Sequence, residues 1–545
     1  MARGTPYLHE SFVGGLNTVA DPYEVSEAEA RELMNVVSTE RGSIKKRYGS
    51  TLFNTSASPN LELVSLFPVN ISGTLYLIAS GGTNLYSINA AGEIATIGEG
   101  FTSGLRWSIC QAPKGVAKAC GPVYLSNGTD KAQFWAGTEK ATKVAEWEGE
   151  KEPFETKAMF ATKPYVPQGK YMIFANERIW MAGMTGDTSA VRFSELKSIG
   201  AGGEENDPSL WPANNVVRFD ASDGNPITGI GVVGPYIVVF KENKTWVIHN
   251  ASPIATRKLS DSVGCVSHRS ITETPHGTFF LTAEAGIYLT NGSTLTEMSY
   301  PVRPTILAIN PTKRENAAGA YFGNHFYLSY ASGTSAANNR TLDYDLTLKS
   351  WWLHDLAGNE WCLWEPTAGE PFLYTIPAAT KKGVVKAFDP TTYQDSGVNY
   401  VGDGTLGAYW RSSWAPFYVF IARHRVKTPH LKKRVRLIFF NGEGSITPSV
   451  YKNFLTAGRQ EPAVVGNVPE TKPELPVNFS ASEEKFGEGS GTFGGEGIFG
   501  GEVAIGNARI YAPGVANLWS VGWGNNSSKG FVVNNYIYLA SFRKS

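Results

Sequence analysis

Two aspartates, Asp343 and Asp345, alternate along a predicted strand, and this spacing resembles that of paired carboxylates in acid–base catalysis. A glycoside hydrolase, however, needs two carboxylates that converge across a cleft. Two residues that lie two positions apart, on the same face of a single strand, do not supply that geometry by themselves. We therefore interpret both side chains as hairpin residues that bond the amides of a turn.

The histidines and cysteines also form no recognisable site. The five histidines that could be ligands are scattered, and no pair has metal-ligand spacing; they are His249, His268, His276, His325 and His354. The four cysteines contain no CxxC pair, and a chain of 545 residues can bury a core without disulfides, so we expect free thiols in a reducing compartment. The sequence predicts no enzyme, no metal and no cofactor.

Basic residues cluster at two places. The first group is Arg41, Lys45, Lys46 and Arg47, and the second is the stretch 423–433. The first fits either a solvated strand edge protected by charge or a contact with an acidic neighbouring subunit. The second fits either a solvated loop or a contact with DNA or a partner. Lys and Arg together number 49, as do Asp and Glu, so the net charge is zero. This balance argues against a dedicated nucleic-acid binder held by phosphate neutralisation, although DNA could still pass without being gripped.

The elements that must position these residues are predicted to be strands. Aromatic residues make up 12% of the chain, and 58 glycines and 30 prolines indicate many turns. The N-terminus does not have the pattern of a signal peptide, and no apolar run has the length of a membrane span. We expect an all-β protein that is made in the cytoplasm and does not cross a membrane.

A repeat between residues 56 and 404 predicts a β-propeller. In each unit a turn glycine is followed by an aromatic and aliphatic strand, a polar turn and a second strand. The glycines recur 43 to 65 residues apart and are Gly73, Gly121, Gly169, Gly234, Gly277, Gly323 and Gly369. That period is the size of one four-stranded blade. Six or seven blades fit the sequence.

The N-terminal segment, residues 1–55, is predicted to contain an extended arm, a helix and a first strand. Ser26 and Glu29 have capping-box spacing. Ala30, Leu33, Met34 and Val37 then follow at one helical face. We expect a helix over 27–37 that ends before Gly42.

Residues 405–545 are predicted to form a β-sandwich-like C-terminal domain. Lys432–Phe440 reads as a strand, Asn441-Gly442 as a hairpin turn and Ser445–Tyr451 as the return strand. Strands are also expected at 409–414, 518–523 and 530–542. A glycine-rich insertion, 486–502, carries Phe486, Phe493 and Phe499 and is interpreted as a loop at a tube mouth or a surface excursion.

The first fifty residues resemble the N-terminal signature of tailed-phage tail proteins, namely the tail nozzle (tail tubular protein B) and the tail-stabilisation or hub proteins. The matching features are an aromatic-x-Gly-Gly-Leu-Asn run, a proline turn, an acidic segment ending in Asn-Val, and a basic strand with Arg-x-Gly. In this chain they are Phe12, Gly14, Gly15, Leu16, Asn17, Pro22, Asn35-Val36, Gly42 and Arg47-Tyr48-Gly49.

The resemblance implies a structural protein of the virion tail. It implies a ring of six copies below the portal and adaptor proteins, contacts with tail fibres or spikes, and DNA that passes without sequence-specific binding. The candidate docking residues are then Phe12, Gly14, Gly15, Leu16, Asn17, Arg41, Lys45 and Arg47, and the candidate lumen residues are Phe486, Phe493 and Phe499.

Two other functions remain open at this point. A glycan-binding propeller, lectin-like or receptor-binding, would use exposed aromatic residues such as Trp180, Trp246 and Tyr288 to stack on sugars. A propeller glycosidase is disfavoured because the Ser-x-Asp-x-Gly-x-Thr-Trp box of sialidases is absent.

Overall fold

The computed structural model describes 22 stretches of the chain. They are residues 5–9, 11–20, 24–39, 41–53, 62–71, 73–114, 119–135, 145–146, 166–194, 211–212, 214–251, 253–366, 370–378, 380, 382–404, 406–412, 418–421, 424–427, 433–452, 477–478, 506–511 and 519–542. The candidate lumen residues Phe486, Phe493 and Phe499 lie outside these ranges, as does the insertion 486–502 that carries them.

Strands dominate the described residues. The first strands are β1 Thr5–His9, β2 Gly15–Leu16, β3 Glu29–Met34, β4 Val36–Ser38, β5 Ile44–Lys46, β6 Gly49–Leu52, β7 Ser65–Ile71, β8 Thr74–Gly81, β9 Asn84–Asn89, β10 Ile94–Gly98, β11 Ser108–Lys114, β12 Ala119–Ser126, β13 Gln133–Trp135 and β14 Ala145–Glu146. The next are β15 Tyr171–Ala175, β16 Arg178–Met184, β17 Asp187–Phe193, β18 Val216–Arg218, β19 Ile227–Val233, β20 Tyr236–Lys241, β21 Thr245–Ala251, β22 Ile254–Ser260, β23 Thr272–Thr274, β24 Gly277–Leu281, β25 Ile287–Thr290 and β26 Leu295–Glu297.

The remaining strands are β27 Ala318–Phe322, β28 His325–Tyr330, β29 Arg340–Asp345, β30 Ser350–His354, β31 Gly358–Trp364, β32 Phe372–Pro377, β33 Val385–Asp389, β34 Ala408–Ser412, β35 Tyr418–Ile421, β36 His424–Lys427, β37 Lys433–Lys452, β38 Val477–Asn478, β39 Gly506–Tyr511, β40 Trp519–Asn525 and β41 Phe531–Phe542. Among the described residues, the helical segments are one short α-helix, α1 Arg303–Leu307, and 3-10 turns at Ala221–Asp223, His268–Ser270, Tyr300–Val302 and Pro311–Asn316.

The chain divides into two compact units that are interleaved in sequence. The framework unit comprises residues 1–51, 342–355 and 388–545, and the propeller unit comprises residues 52–341 and 356–387. The N-terminal segment and the C-terminal strands thus belong to one unit, whereas the sequence had suggested separate domains at 1–55 and 405–545.

The described part of the propeller unit contains seven successive antiparallel sheets. The first five have four strands each, β7–β10, β11–β14, β15–β18, β19–β22 and β23–β26. The unit also holds the hairpin β27–β28 of the sixth sheet and the strands β31–β33 of the seventh. Alternating apolar residues bury both faces of these sheets, which is why each sheet needs a neighbour on either side.

Apolar contacts close the seven sheets into a ring. Four hydrophobic clusters each contain residues of two successive sheets, and together they join the first sheet to the second, the second to the third, the third to the fourth and the fourth to the fifth. Phe279 stacks on Phe326 at 4.4 Å between the fifth and sixth sheets, and Oγ of Ser329 accepts a 3.0 Å bond from the indole of Trp361 in the seventh. Leu66 of the first sheet then shares a buried cluster with Trp364 of the seventh. The predicted β-propeller is confirmed, and the described residues form seven blades.

The repeat glycines mark blade hairpins in four of the seven units. Gly73, Gly234 and Gly323 each lie between the first two strands of a sheet, Gly277 begins the second strand of its sheet, and all four have positive φ. Gly169 instead precedes its hairpin, whose turn is made by Asn176 and Glu177 at positive φ. The sequence repeat therefore gave the right period, although the glycine shifts along the blade.

The framework unit is built on one long sheet path. Its strands are ordered β29-β30-β2-β3-β34-β40-β37-β41-β5-β4, with β1 on β41 and with β38 and β39 on β37. Trp410, Trp523, Phe440 and Tyr536 come from four consecutive strands of this path and meet in one aromatic core. Phe12 lies edge-on to Trp410 at 5.1 Å, so the N-terminal segment supplies the core's cover.

The predicted helix over 27–37 is wrong. The capping-box residues do bond, since Glu29 accepts from the Ser26 amide at 2.9 Å, but they form a turn that does not continue. The chain enters β3, which pairs in parallel with β2 and antiparallel with β34. Sheet neighbours on both sides outweigh the local helix preference. Asn35, at φ 57, then redirects the chain into β4.

The predicted hairpin at Asn441-Gly442 is also wrong, because both residues lie inside the 20-residue strand β37. Their register with β41 shifts at this point, which marks a bulge. A Cβ on Gly442 would lie 2.1 Å from the carbonyl oxygen of Val532, so glycine is required for close strand approach. The strands predicted near 409, 518 and 530 are confirmed as β34, β40 and β41.

Candidate functional site

The signature residues of the N-terminal segment lie within the framework unit. Phe12 is fully buried against Trp410, Trp523 and Tyr536. Leu16 is 3% exposed in β2. These two side chains contact their own chain, so they leave no surface for a neighbouring subunit.

Gly14, Gly15 and Asn17 shape the turn around β2. Gly15 has φ 65, and a Cβ there would lie 2.4 Å from the carbonyl oxygen of Trp351. A Cβ on Gly14 would meet the Glu29 side chain at 2.5 Å. The Asn17 amide donates to Glu29 at 3.0 Å, and its oxygen accepts from the next turn. Glycine pairs of this kind allow backbones to approach where side chains would clash.

Arg47 is the centre of a buried ionic cluster. Its guanidinium pairs with Asp355 at 2.9 Å and with Asp395, donates to Oδ1 of Asn35 at 2.9 Å, and lies 3.8 Å from the ring centre of Tyr400. Burial alone would lower the pKa of Arg47, but the two carboxylates raise that pKa well above its ordinary value. The cluster joins the three sequence stretches of the framework unit.

The neighbouring basic residues differ in exposure. Lys46 is 1% exposed, donates to the carbonyl oxygen of Ser527 at 2.6 Å, and has its pKa lowered to about 8 by burial and by the charge of Arg47. Arg41 is exposed and Lys45 is half-buried. The interpretation of all four as a solvated edge is wrong for Lys46 and Arg47. Docking stays a prediction, and it now depends on Arg41 and Lys45.

The two aspartates of the outer hairpin have separate roles. Asp345 accepts bonds from the amides of Thr347 and Leu348 at 2.8 and 2.9 Å, as the turn interpretation predicted. Asp343 instead lies 3.2 Å from Nε2 of His354, and both are buried. Burial lowers the pKa of His354, so the imidazole is held neutral. The pair lies inside the framework unit, where both side chains are at most 1% exposed.

The axis of the propeller unit holds a cavity of about 1250 Å³. Residues from all seven sheets line it. Charged and titratable side chains among them are Arg106, Lys170, His268, Arg269, Glu273, Glu315 and Glu360. Arg269, in the turn before the fifth sheet, forms an ion pair with Glu360 of the seventh sheet, and both residues line the cavity. Burial and the charges of Arg269 and Lys170 lower the pKa of His268 to about 3.

A second cavity in the propeller unit has a volume of about 580 Å³. Asn84 of the first sheet, Arg106 before the second, and Asn316 and Asn359 from the sixth and seventh line it. Arg106 lines both cavities. Sequence reasoning missed this arginine and the Arg269–Glu360 pair. The sequence did offer one indication of the pair, namely the charged residue Glu360 within the mostly apolar strand GNEWCLW.

The remaining predictions concern chemistry and membranes. Within the described ranges no group of three His, Cys, Asp or Glu residues could hold a metal ion. Among those same residues, no helix is long and apolar enough to span a bilayer. Cys110, Cys265 and Cys362 are free and buried.

Trp180 and Trp246 are 0% and 5% exposed, so the interpretation of these two as sugar-stacking residues is wrong. The third candidate, Tyr288, is half-buried.

Comparison with known proteins finds no matching family model and no matching curated protein. Three similar solved structures are all β-propeller proteins. Sqt1 of Saccharomyces cerevisiae is 11% identical with a TM-score of 0.36, covering 63% of this chain and 99% of that one. BBS1N, crystallised with ARL6DN, is 9% identical with a TM-score of 0.39, covering 63% and 98%.

The third structure is PorZ, a surface component of the type-IX secretion system of Porphyromonas gingivalis. It is 9% identical with a TM-score of 0.35, covering 63% of this chain and 38% of PorZ. This chain thus matches less than half the length of PorZ. At such scores the structures carry no argument about function, and the seven sheets themselves establish the propeller.

Proposed function

We propose that this chain is a structural protein of a bacteriophage tail, a nozzle or hub component. The observation that supports the proposal best is the place of the signature residues. Phe12, Gly15, Leu16 and Arg47 each have a definable packing or ionic role in the framework unit. A chance match of residue types would not be expected to collect in one buried arrangement.

The proposed protein acts as an oligomeric conduit, with six copies as the family resemblance implies. The propeller's own cavity is only about 1250 Å³ in volume and the Arg269–Glu360 pair lines it, so DNA would pass between copies and not through a propeller. A net charge of zero suits this role, because strong phosphate contacts would slow the passing DNA. The exposed Arg41 and half-buried Lys45 are the proposed contacts with an acidic adaptor or neighbouring subunit, within a virion assembled in the bacterial cytoplasm.

Electron-microscope class averaging of the purified full-length protein, alone and mixed with its adaptor and portal proteins, tests the proposal. A six-fold ring or tube that joins the adaptor is the expected result. The variant Arg41→Glu/Lys45→Glu, which reverses two charges, should weaken binding to the adaptor. The control Lys313→Glu/Lys349→Glu reverses two charges outside the signature and should not weaken it. A solitary chain that never joins the adaptor would overturn the proposal.

A further inference from the structure

The cavity of about 580 Å³ in the propeller unit has the size of a small-molecule site. Three of its lining residues are glycines, Gly81, Gly82 and Gly104, which present backbone rather than side chains to the cavity. The walls carry amides and hydroxyls from Thr83, Asn84, Ser103, Asn316 and Asn359. The cavity is therefore a polar recess and not a gap in the apolar core.

Arg106 is the positively charged group of this recess. Within the described residues its guanidinium makes no hydrogen bond and no ion pair, although it is only partly accessible. Arg269, a second guanidinium close to it, is already paired with Glu360. Burial lowers the pKa of Arg106, and the charge of Glu315 raises it without a direct contact. A half-buried guanidinium that makes no hydrogen bond to the described residues favours an anion as its partner.

The amides supply the second half of the recognition. Asn84 uses its oxygen to accept from the Thr83 hydroxyl at 3.1 Å, which leaves its NH2 group with no bond in the described structure. The side-chain amides of Asn316 and Asn359 likewise make no hydrogen bond to described residues, and Asn359 is 7% exposed. Side-chain amides offer two donors and one acceptor, which match ligand hydroxyl groups.

We propose that this recess binds an acidic monosaccharide, with the carboxylate on Arg106 and the hydroxyl groups on Asn84, Asn316 and Asn359. One guanidinium and three amides fit a ligand with one negative charge and several hydroxyls. The exposed carboxylate of Glu62 at the rim disfavours a polyanion such as a nucleic acid. The proposal is independent of the tail function, because it rests on the propeller unit alone.

Isothermal titration of the full-length protein with sodium glucuronate, glucose and inorganic phosphate tests the site. Glucuronate should bind saturably, with glucose and phosphate each at least tenfold weaker. Arg106→Gln should weaken glucuronate binding about 10-fold to 100-fold, since a hydrogen bond to a charged group is lost. Arg106→Lys keeps the charge and should retain part of the affinity. Arg41→Gln, an exposed arginine of the other unit, should leave binding unchanged.

Three outcomes would overturn the assignment. If glucuronate binding to the native protein does not saturate, the recess is not a binding site for this sugar. Affinity unchanged in Arg106→Gln, with the circular dichroism of the native chain, would remove the role of the guanidinium. Phosphate that competes as well as glucuronate would reduce the site to a simple anion pocket and overturn the assignment to a sugar. Loss of glucuronate binding in Asn359→Ala with phosphate binding unaffected would support it.

Discussion

Nη2 of Arg47 lies 2.9 Å from Oδ1 of Asp355, although the two residues are 308 positions apart in the chain. Their side chains are 1% and 5% exposed. A buried pair of this kind is costly to break from one side, because the remaining charge keeps its desolvation cost without its partner. The pair thus fixes how the early and late segments of the framework unit come together.

Replacing Arg47 is expected to loosen the framework unit. Arg47→Met leaves Asp355 and Asp395 without their cation, and a one-sided break of a buried pair costs about 3–5 kcal/mol. Hydrogen exchange of the peptides covering residues 35–50 should accelerate strongly. Arg41→Met, the exposed control, should change the opening free energy by less than about 0.5 kcal/mol. Unchanged exchange in Arg47→Met would show that the pair does not hold these strands.

Acid should weaken the framework unit through His9. Burial lowers the pKa of His9 to about 4 against 6.5 in the unfolded chain, so the unfolded state binds the proton first. The folded state is fully favoured above pH 6.5, and this contribution is lost progressively as the pH falls from about 6.5 to about 4. The shift corresponds to roughly 3 kcal/mol.

His9→Phe should flatten that part of the stability profile, because the aromatic stack on Phe12 and Tyr536 can persist without a titrating group. Urea unfolding at pH 7, 5.5 and 4.5 measures the profile. His276→Phe, a substitution at an exposed turn, should leave the slope as it is in the native chain. An identical slope in His9→Phe would contradict the assignment to His9.

How much of this could be read from the sequence depends on the range of the interaction. The blade period and the strands β34, β40 and β41 follow from local alternation and turn residues. Ser26 and Glu29 also bond as their spacing predicts, yet the segment is a strand because β2 and β34 flank it. A local stretch of sequence around β3 does not contain β34, which begins at Ala408.

The site residues show the same limit. Asp345 bonds a turn two residues ahead and was predictable. For Arg47 the sequence left open a solvated edge or a contact with a neighbouring subunit, because Asp355 and Asp395, which pair with it, follow more than 300 residues later in the chain. Arg106 and Asn359 belong to different blades, and only closure of the ring brings them to one cavity.

Alanine substitutions at Gly15 and Gly323 should distinguish the cost of backbone strain from the cost of steric crowding. Both have positive φ, 65 and 59, but a Cβ at Gly323 meets nothing within 4 Å, whereas one at Gly15 would meet the Trp351 carbonyl oxygen at 2.4 Å. Alanine should therefore cost about 1 kcal/mol at Gly323 and at least about 3 kcal/mol at Gly15. Calorimetry of the two variants beside the native chain measures the difference. Equal losses would mean that the strand β2 shifts to accommodate the methyl group.

The buried thiols offer a test of ring closure. Burial raises the pKa of Cys110 and Cys362, which line the axial cavity, and raises the pKa of Cys265 to about 12. Only thiolates react quickly with a disulfide reagent, so all three should stay unlabelled at pH 8 in a Cys120→Ser chain. In urea the same chain should label three thiols. Arg269→Met removes the cation that pairs with Glu360 in the lining of the cavity and should speed labelling of Cys362 more than that of Cys265. Rapid native labelling of Cys110 and Cys362 would mean that the blades do not seal the ring.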